Sequence, residues 1–464
     1  MIKDIWILGS GPVGLIASYY LLEKGYKVNL VDNSKSRVNK ENLNKHNITF
    51  KEINNNIFSN NFLVYFNSNI VLPISSKSVG GFTKVWGGTL NIFNNEELRL
   101  MNINQSLVEK YKFILDKLKL DVNLEINPNN SVKNFNKSIY DKSVIDFYEK
   151  IITNNSYLNQ EDIEITLSSI FLKNGKIWSS DILINEMSTE YGDNFLHISD
   201  FEVSSIEEEK DYINLISNDG NKIKIENSKL FLASGALTSS VLLSKSLDTS
   251  FFEIRDSKLI AMPLLKIGKK TKKKSKNTYS QIFINFNNSK NSKSIIRTQL
   301  YLLNKELIDS VSGKLRIMKM LLYGIEKIFR NRIFISFIYS NSENSDYFHF
   351  NIANENIEVF KKIKKINKDF KIVFLKLLKS FNFTYLIPIP IYKTFPMYGS
   401  FHHGAFKAYK SFEKEEISLN GKGQINNNSN IFVLDSSNIK YVPSGPITFT
   451  VMANALNIVD NAIR

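Results

Sequence analysis

The chain has 464 residues, 43% of them hydrophobic, which suits two domains or one large discontinuous one. It has no cysteine, so disulfides, thiol catalysis and thiolate metal sites are excluded, and five histidines leave little for a metal cluster. The net charge of +15 is concentrated: residues 266–276 carry seven lysines and no acid, and residues 361–379 carry eight lysines and Asp369, so a surface built to bind nucleic acid is not expected.

Near the N-terminus, Ile5 to Leu22 form eighteen residues without charge. The interior "GSGPVG" would break a spanning helix in its middle, so neither a membrane span nor a signal peptide is expected. The chain reads as cytoplasmic. The run divides into a buried strand over Ile5–Leu8, a glycine turn with Gly9, Gly11 and Gly14, and a helix over Leu15–Glu23 ended by Gly25. A second strand, Val28–Val31, closes on Asp32. Gly9 permits the tight turn, Gly11 lets backbone approach a pyrophosphate, and Gly14 lets helix and strand pack closely. The free amides of the helix start favour phosphate, and Asp32 is placed to take ribose hydroxyls. This order marks a dinucleotide site and leaves NAD and FAD both open.

Ser76–Leu90, "SKSVGGFTKVWGGTL", holds four glycines and Trp86. Later, "INLISNDGNKIKIENSKLFLASG" alternates apolar and polar residues across a hairpin at Asp219-Gly220. It feeds a strand that ends in Ser234-Gly235. In the middle of the chain, "YSQIFINFN" and "RNRIFISFIYS" read as strands. Leu315, Met318, Leu322, Ile325 and Phe329 form one helical stripe, and Ile363, Ile366, Phe370, Val373 and Leu377 form another with lysines opposite. The lysine-rich stretches are either solvated faces or a surface for anionic lipid or a polyanionic glycan. Near the end, "YGSFHHGAFKAY" holds His402 and His403. A strand over Ile431–Leu434 runs into Asp435, a proline–glycine loop follows, and Thr448 and Thr450 open the last helix.

Three of these segments together resemble the FAD-dependent glucose–methanol–choline (GMC) oxidoreductases. They are the N-terminal fingerprint, the "VGGFTKVWGG" loop with the "SGALTSS" turn, and the C-terminal "LDSS…TFTVMANAL" block. "VGGFTKVW" is most similar to the pyranose-oxidase branch; residues 256–390 carry no specific likeness. The resemblance implies an α/β (α+β overall) fold. A discontinuous Rossmann-like FAD/NAD(P)-binding domain would span 1–100, 155–255 and 395–464. A helical connection would occupy 101–154, and a second sheet-and-helix domain, 256–394, would bind substrate.

By the same resemblance, FAD is held by Gly9, Gly11, Pro12, Val13, Gly14 and Asp32, and by Gly80, Gly81, Thr83, Trp86, Gly87 and Gly88. Val203, Ser234, Gly235, Asp435, Ser436, Pro446, Thr448, Phe449 and Thr450 complete the set. The four loop glycines would let backbone lie against the flavin, with Trp86 packed beside it. Asp435 would accept from the ribityl hydroxyls. The amides at Thr448–Thr450 would stabilise reduced flavin. Val85 stands where the branch has a flavin-linking histidine, which implies non-covalent FAD. No metal is implied.

The implied reaction is oxidation of an alcohol, a sugar or polyol, with hydride passing to flavin N5 and a histidine taking the hydroxyl proton. Phe401-His402 best matches the family's aromatic–histidine pair, with His403 in reserve. Pro446 falls where the family has a second histidine or an asparagine. It has no donor for a substrate oxygen, so His403 replaces it, the substrate is held differently, or the reaction is lost. The alternative is therefore a flavin protein without net alcohol oxidation. Partners are a small alcohol or sugar, free or glycan- or lipid-linked, with no electron acceptor assigned.

Overall fold

The computed structural model describes residues 4–34, 58–59, 75–84, 86–103, 106–121, 124–127, 131–134, 139–140, 142–153, 163–249, 251–267, 279–286, 295–304, 308, 316–329, 332–353, 356–362, 368–383, 385–389, 393–395, 403–409, 416–425 and 429–464. A five-stranded, wholly parallel sheet organises the N- and C-terminal parts. Its order is 195–198, 27–31, 4–8, 230–232, 431–433. Counted along the chain this is 3-2-1-4-5, an order found in open doubly wound sheets.

The strands are apolar on both sides because both faces are covered. Ile5, Ile7, Val28, Leu30, Phe231 and Phe432 face helices Pro12–Glu23, Val108–Leu118, Ile182–Tyr191 and Thr448–Ile463. Trp6, Leu8, Val31, Leu230, Leu232, Ile431 and Val433 face helix Ala236–Ser246 and a three-stranded meander. That meander, Val203–Glu208, Tyr212–Ser217 and Lys222–Glu226, contains the hairpin expected at Asp219-Gly220. The first helix starts at Pro12, earlier than the expected Leu15. Proline's missing amide costs nothing in a first turn, and its fixed φ suits the helix.

Among the described residues there are also two large antiparallel sheets, besides four two-stranded ones. One runs 356–362, 347–353, 251–256, 403–409, 416–418. The other has seven strands: 386–388, 259–266, 333–339, 296–302, 282–286 and 163–167 in order, with 393–395 also on 259–266. Both strands expected in the middle of the chain are present, at Ile282–Phe286 and Ile333–Tyr339. The two helical stripes fall mainly on Arg316–Ile328 and Lys368–Phe383, with Phe329 just past the first helix and Leu315, Ile363 and Ile366 outside the described residues. Hydrogen-bonded pairing runs across the expected division between the cofactor and substrate domains: 163–167 pairs with 282–286, and 251–256 with 347–353.

Candidate cofactor and substrate site

The carboxyl ends of the parallel strands bring ten of the expected cofactor residues to one edge. Leu8 leads into the first glycine turn, Val31 into Asp32, Leu232 into Ser234-Gly235, and Val433 into Asp435. Ligands of open α/β sheets bind at this edge. The turns are cross-tied: the Gly9 amide donates to the Val31 carbonyl at 2.8 Å, and the Ala233 amide to the Leu8 carbonyl at 2.8 Å. Ser234 Oγ donates to the Leu8 carbonyl at 3.1 Å.

The three fingerprint glycines differ physically. Gly9 has φ +112°, and a Cβ there would lie 2.5 Å from the Ala233 carbonyl oxygen. A Cβ on Gly14 would lie 2.0 Å from the Gly9 carbonyl oxygen. The chain itself needs both. Gly11 has φ −67° and ψ 175°, which any residue adopts, and a Cβ there would meet only the Ala233 oxygen at 3.9 Å. Among the described residues nothing requires glycine at 11, so the backbone there is open to a group from outside the chain. Pro12 and Val13 open the helix beneath it, with Val13 buried.

Asp32 is buried, and its Oδ1 accepts from the Ser34 amide at 2.5 Å. Its Oδ2 is buried and has no hydrogen-bond partner among the described residues. Burial raises its pKa, and the hydrogen bonds from Ser34 oppose the rise. His197, close enough to act on Asp32 by charge, has its own pKa lowered by burial. A buried acceptor with an empty oxygen, beside open space at Gly11, fits the ribose and pyrophosphate of a dinucleotide. Val203 is partly buried in the adjoining meander and pairs with Ser217.

The Ser76–Leu90 loop folds onto this turn: the Gly80 amide donates to the Ser10 carbonyl at 3.0 Å, and a Cβ on Gly81 would lie 3.4 Å from Gly11 Cα. Thr83 Oγ1 is buried, donates to the Gly80 carbonyl at 2.6 Å and accepts from the Ser180 amide at 3.0 Å. Neighbours within the chain already account for the other loop glycines. A Cβ on Gly80 would press on the Asp181 amide at 3.1 Å, one on Gly87 on the Tyr301 hydroxyl at 2.9 Å, and one on Gly88 on Ile177 at 2.9 Å. Flavin contact is therefore not needed to explain Gly80, Gly87 and Gly88. Trp86 is likewise held by the chain, donating from Nε1 to the Trp178 carbonyl at 2.9 Å and packing on Phe171 at 5.0 Å. Val85 lies outside the described residues.

Asp435 is also engaged internally. Oδ2 accepts from Ser239 Oγ at 2.5 Å, and Oδ1 from the Ser437 amide at 3.0 Å and hydroxyl at 2.5 Å. Burial raises its pKa and these bonds oppose the rise. It ties the 436–438 turn to helix Ala236–Ser246; a ribityl hydroxyl would have to share oxygens already in use. A Cβ on Gly404 would lie 2.2 Å from the Ser436 carbonyl oxygen, so strand His403–Tyr409 begins against the Asp435-Ser436 turn. The His403 backbone pairs with Asp256. His402 lies outside the described residues.

Pro446 is buried just before the last helix. The Thr448–Thr450 amides have no carbonyl one turn back within that helix; its first such bond runs from Val451 to Ile447 at 2.9 Å. Thr450 Oγ1 shares a hydrogen bond with Tyr111 Oη at 2.8 Å, and Phe449 packs on the Tyr111 ring at 4.6 Å.

Sequence reasoning missed a polar cluster where the seven-stranded sheet meets these loops. Arg297 forms a fully buried bidentate pair with Glu97, both contacts 2.6 Å, and donates to the Ser444 carbonyl at 2.9 Å. A Cβ on Gly445 would lie 2.9 Å from Arg297 Cδ and 3.6 Å from Asn91 Nδ2. Gln299 Oε1 accepts from Tyr301 Oη at 2.6 Å, which brings it to Gly87. Asn91 Nδ2 and Gln299 Nε2 are buried donors with no partner among the described residues. The one signal in the sequence is alternation of Arg297, Gln299 and Tyr301 along an apolar strand.

No family model matches the chain, and no curated protein matches it. Among solved structures, the fold is similar to that titled pyridoxine 4-oxidase from Mesorbium loti. The TM-score is 0.63 at 12% identity, covering 99% of each chain. That likeness shows a shared fold over the whole length, and it gives the pyranose-oxidase branch no support.

Proposed function

We propose that the chain binds FAD non-covalently at the carboxyl edge of the parallel sheet and oxidises an alcohol. The open space over Gly11, beside the unpartnered Asp32 carboxylate oxygen, carries the proposal. The resemblance in three sequence segments and a fold shared with an oxidase support it. FAD, when bound, supplies a two-electron acceptor for the carbon–hydrogen bond of the alcohol. The residues of the chain do the rest. The helix start at Pro12 and the Gly11 backbone receive the pyrophosphate, and Asp32 the ribose. The Thr448–Thr450 amides turn a partial positive charge toward the site.

His402 is the proposed base for the hydroxyl proton, with His403 in reserve. Pro446 offers no hydrogen-bond donor, and Asn91 Nδ2, beside Gly445, is buried and unpartnered. Asn91, with Gln299, takes over the binding of the substrate oxygen. The substrate is a sugar, polyol or other small alcohol. A second reading, FAD without net alcohol oxidation, is favoured by Pro446 alone.

Anaerobic mixing of the purified protein with a panel of sugars, polyols and pyridoxine separates the two. Bleaching of the flavin by one class supports oxidation, and slower bleaching in Asn91→Ala at unchanged flavin content supports the donor role. One lost hydrogen bond predicts a loss of about 2- to 10-fold. No bleaching by any alcohol would leave the second reading.

A further inference from the structure

The register of the seven-stranded sheet sets out, row by row, the face that meets the cofactor loops. In one row Ala261, Phe337, Gln299, Phe283 and Thr166 stand directly opposite one another on five successive strands. Side chains paired in this way lie about 5 Å apart at Cβ, so Gln299 stands between two phenyl groups. The neighbouring rows carry Tyr339 with Arg297 on one side and Ile335 with Tyr301 on the other. Both neighbours touch the candidate site: a Cβ on Gly445 would lie 2.9 Å from Arg297 Cδ, and one on Gly87 2.9 Å from Tyr301 Oη. The Tyr301 ring packs edge-on against Phe337, with centroids 4.9 Å apart. Further along the face, Tyr323 and Ile325 of helix Arg316–Ile328 join the cluster of Ile333 and Ile335. The Phe–Gln–Phe row thus lies between the two glycine loops, with Phe283 and Gln299 buried and Phe337 half-buried.

We propose that this row selects the substrate, a small, uncharged aromatic alcohol whose ring lies against Phe283 and Phe337 and whose oxygen meets Gln299 and Asn91. The proposal rests on the flavin-dependent alcohol oxidation proposed above and narrows its substrate. Charge, polarity and shape each point the same way. Around the row the ionised side chains described are Arg297, held by Glu97, and Glu164, which is exposed at the sheet edge and accepts from Asn285 at 3.0 Å. A carboxylate or ammonium group on the substrate would enter without a counter-ion, which is costly. Gln299, Asn91 and Arg297 each have a buried N–H with no partner among the described residues. Such donors call for an accepting oxygen. A sugar or polyol would bring several hydroxyls to a row whose polar content is one amide, and each hydroxyl left unpaired is penalised. A flat ring matches the two phenyl groups, with the amide between them reaching its oxygen.

The test is calorimetric titration of the purified full-length protein with benzamide, a flat uncharged ring with a carbonyl acceptor and no alcohol to oxidise. Benzoate and sorbitol are titrated beside it. Benzamide should bind, and the other two at least ~10-fold more weakly. Phe283→Leu and Phe337→Leu keep an apolar side chain and should each weaken benzamide about 2- to 10-fold, the worth of an aromatic pair. Gln299→Met should weaken it by about the same factor, for one lost hydrogen bond. A merely structural row would lower the melting temperature of these variants and leave their affinity for benzamide at the parent value, which overturns the proposal. So does a parent that binds no benzamide, or binds benzoate or sorbitol as tightly. If one phenylalanine variant fails to fold, the other and Gln299→Met decide. Anaerobic mixing separates this proposal from the one beneath it. Flavin bleached by sorbitol and not by benzyl alcohol overturns the aromatic substrate and keeps alcohol oxidation. Protein that takes up no flavin defeats the oxidation, and the titrations still judge the row.

Discussion

Gly11→Ala and Gly14→Ala should separate a ligand's space from the fold's own. A Cβ at 14 would sit 2.0 Å from the Gly9 carbonyl oxygen, so helix and turn must move apart by more than an ångström. Overpacking of this kind costs typically about 1–3 kcal/mol, against roughly 0.5–1 kcal/mol gained by replacing glycine in a helix. The net is a clear loss of stability. At 11 the backbone is already in a region open to alanine, and the nearest atom is 3.9 Å away. Reduced freedom of the unfolded chain then favours the apoprotein by about 0.4–1 kcal/mol. Bound pyrophosphate would meet the new methyl, so flavin affinity should fall at least ~10-fold, or about 1.4 kcal/mol. Urea denaturation of the apoproteins and fluorescence titration with FAD measure both quantities. Wild-type flavin affinity in Gly11→Ala, or a destabilised apoprotein, would refute the assignment of that space to a ligand.

Breaking the buried Glu97–Arg297 pair should be costly: Arg297→Met alone should destabilise by about 3–5 kcal/mol, and E97Q/R297M should recover much of that by removing the stranded carboxylate. Additive losses in urea denaturation would show that the two do not act as a pair. His197 should make stability pH-dependent. Burial lowers its folded pKa below 6.5, so below pH 6.5 the unfolded chain binds a proton that the native chain refuses, and stability falls as pH falls. Asp32, with a raised folded pKa, acts in the opposite sense above 3.8. His197→Asn should flatten the melting-temperature profile just below pH 6.5; an unchanged slope there would mean that His197 is protonated in the native protein.

What was legible in the sequence was local. Ile5–Asp32 spells strand, turn, helix and strand because each element is set by neighbours a few residues away. The Asp219-Gly220 hairpin is legible for the same reason. The polar cluster was not, because it depends on distant partners: Glu97 and Arg297 meet across 200 positions. The glycine loop divides the same way. Its composition announced close approach, but that Gly87 meets Tyr301 and Gly88 meets Ile177 follows from tertiary packing. Asp435 stood out as an acid after a strand, and the partners that occupy it, Ser239 and Ser437, appear only once the sheet edge is assembled.

The most direct test of the central claim is the absorption spectrum of the purified full-length chain, before and after acid precipitation. A flavin spectrum that passes into the supernatant, identified as FAD by chromatography, is the predicted result. Colourless protein that takes up no FAD on reconstitution would contradict the account.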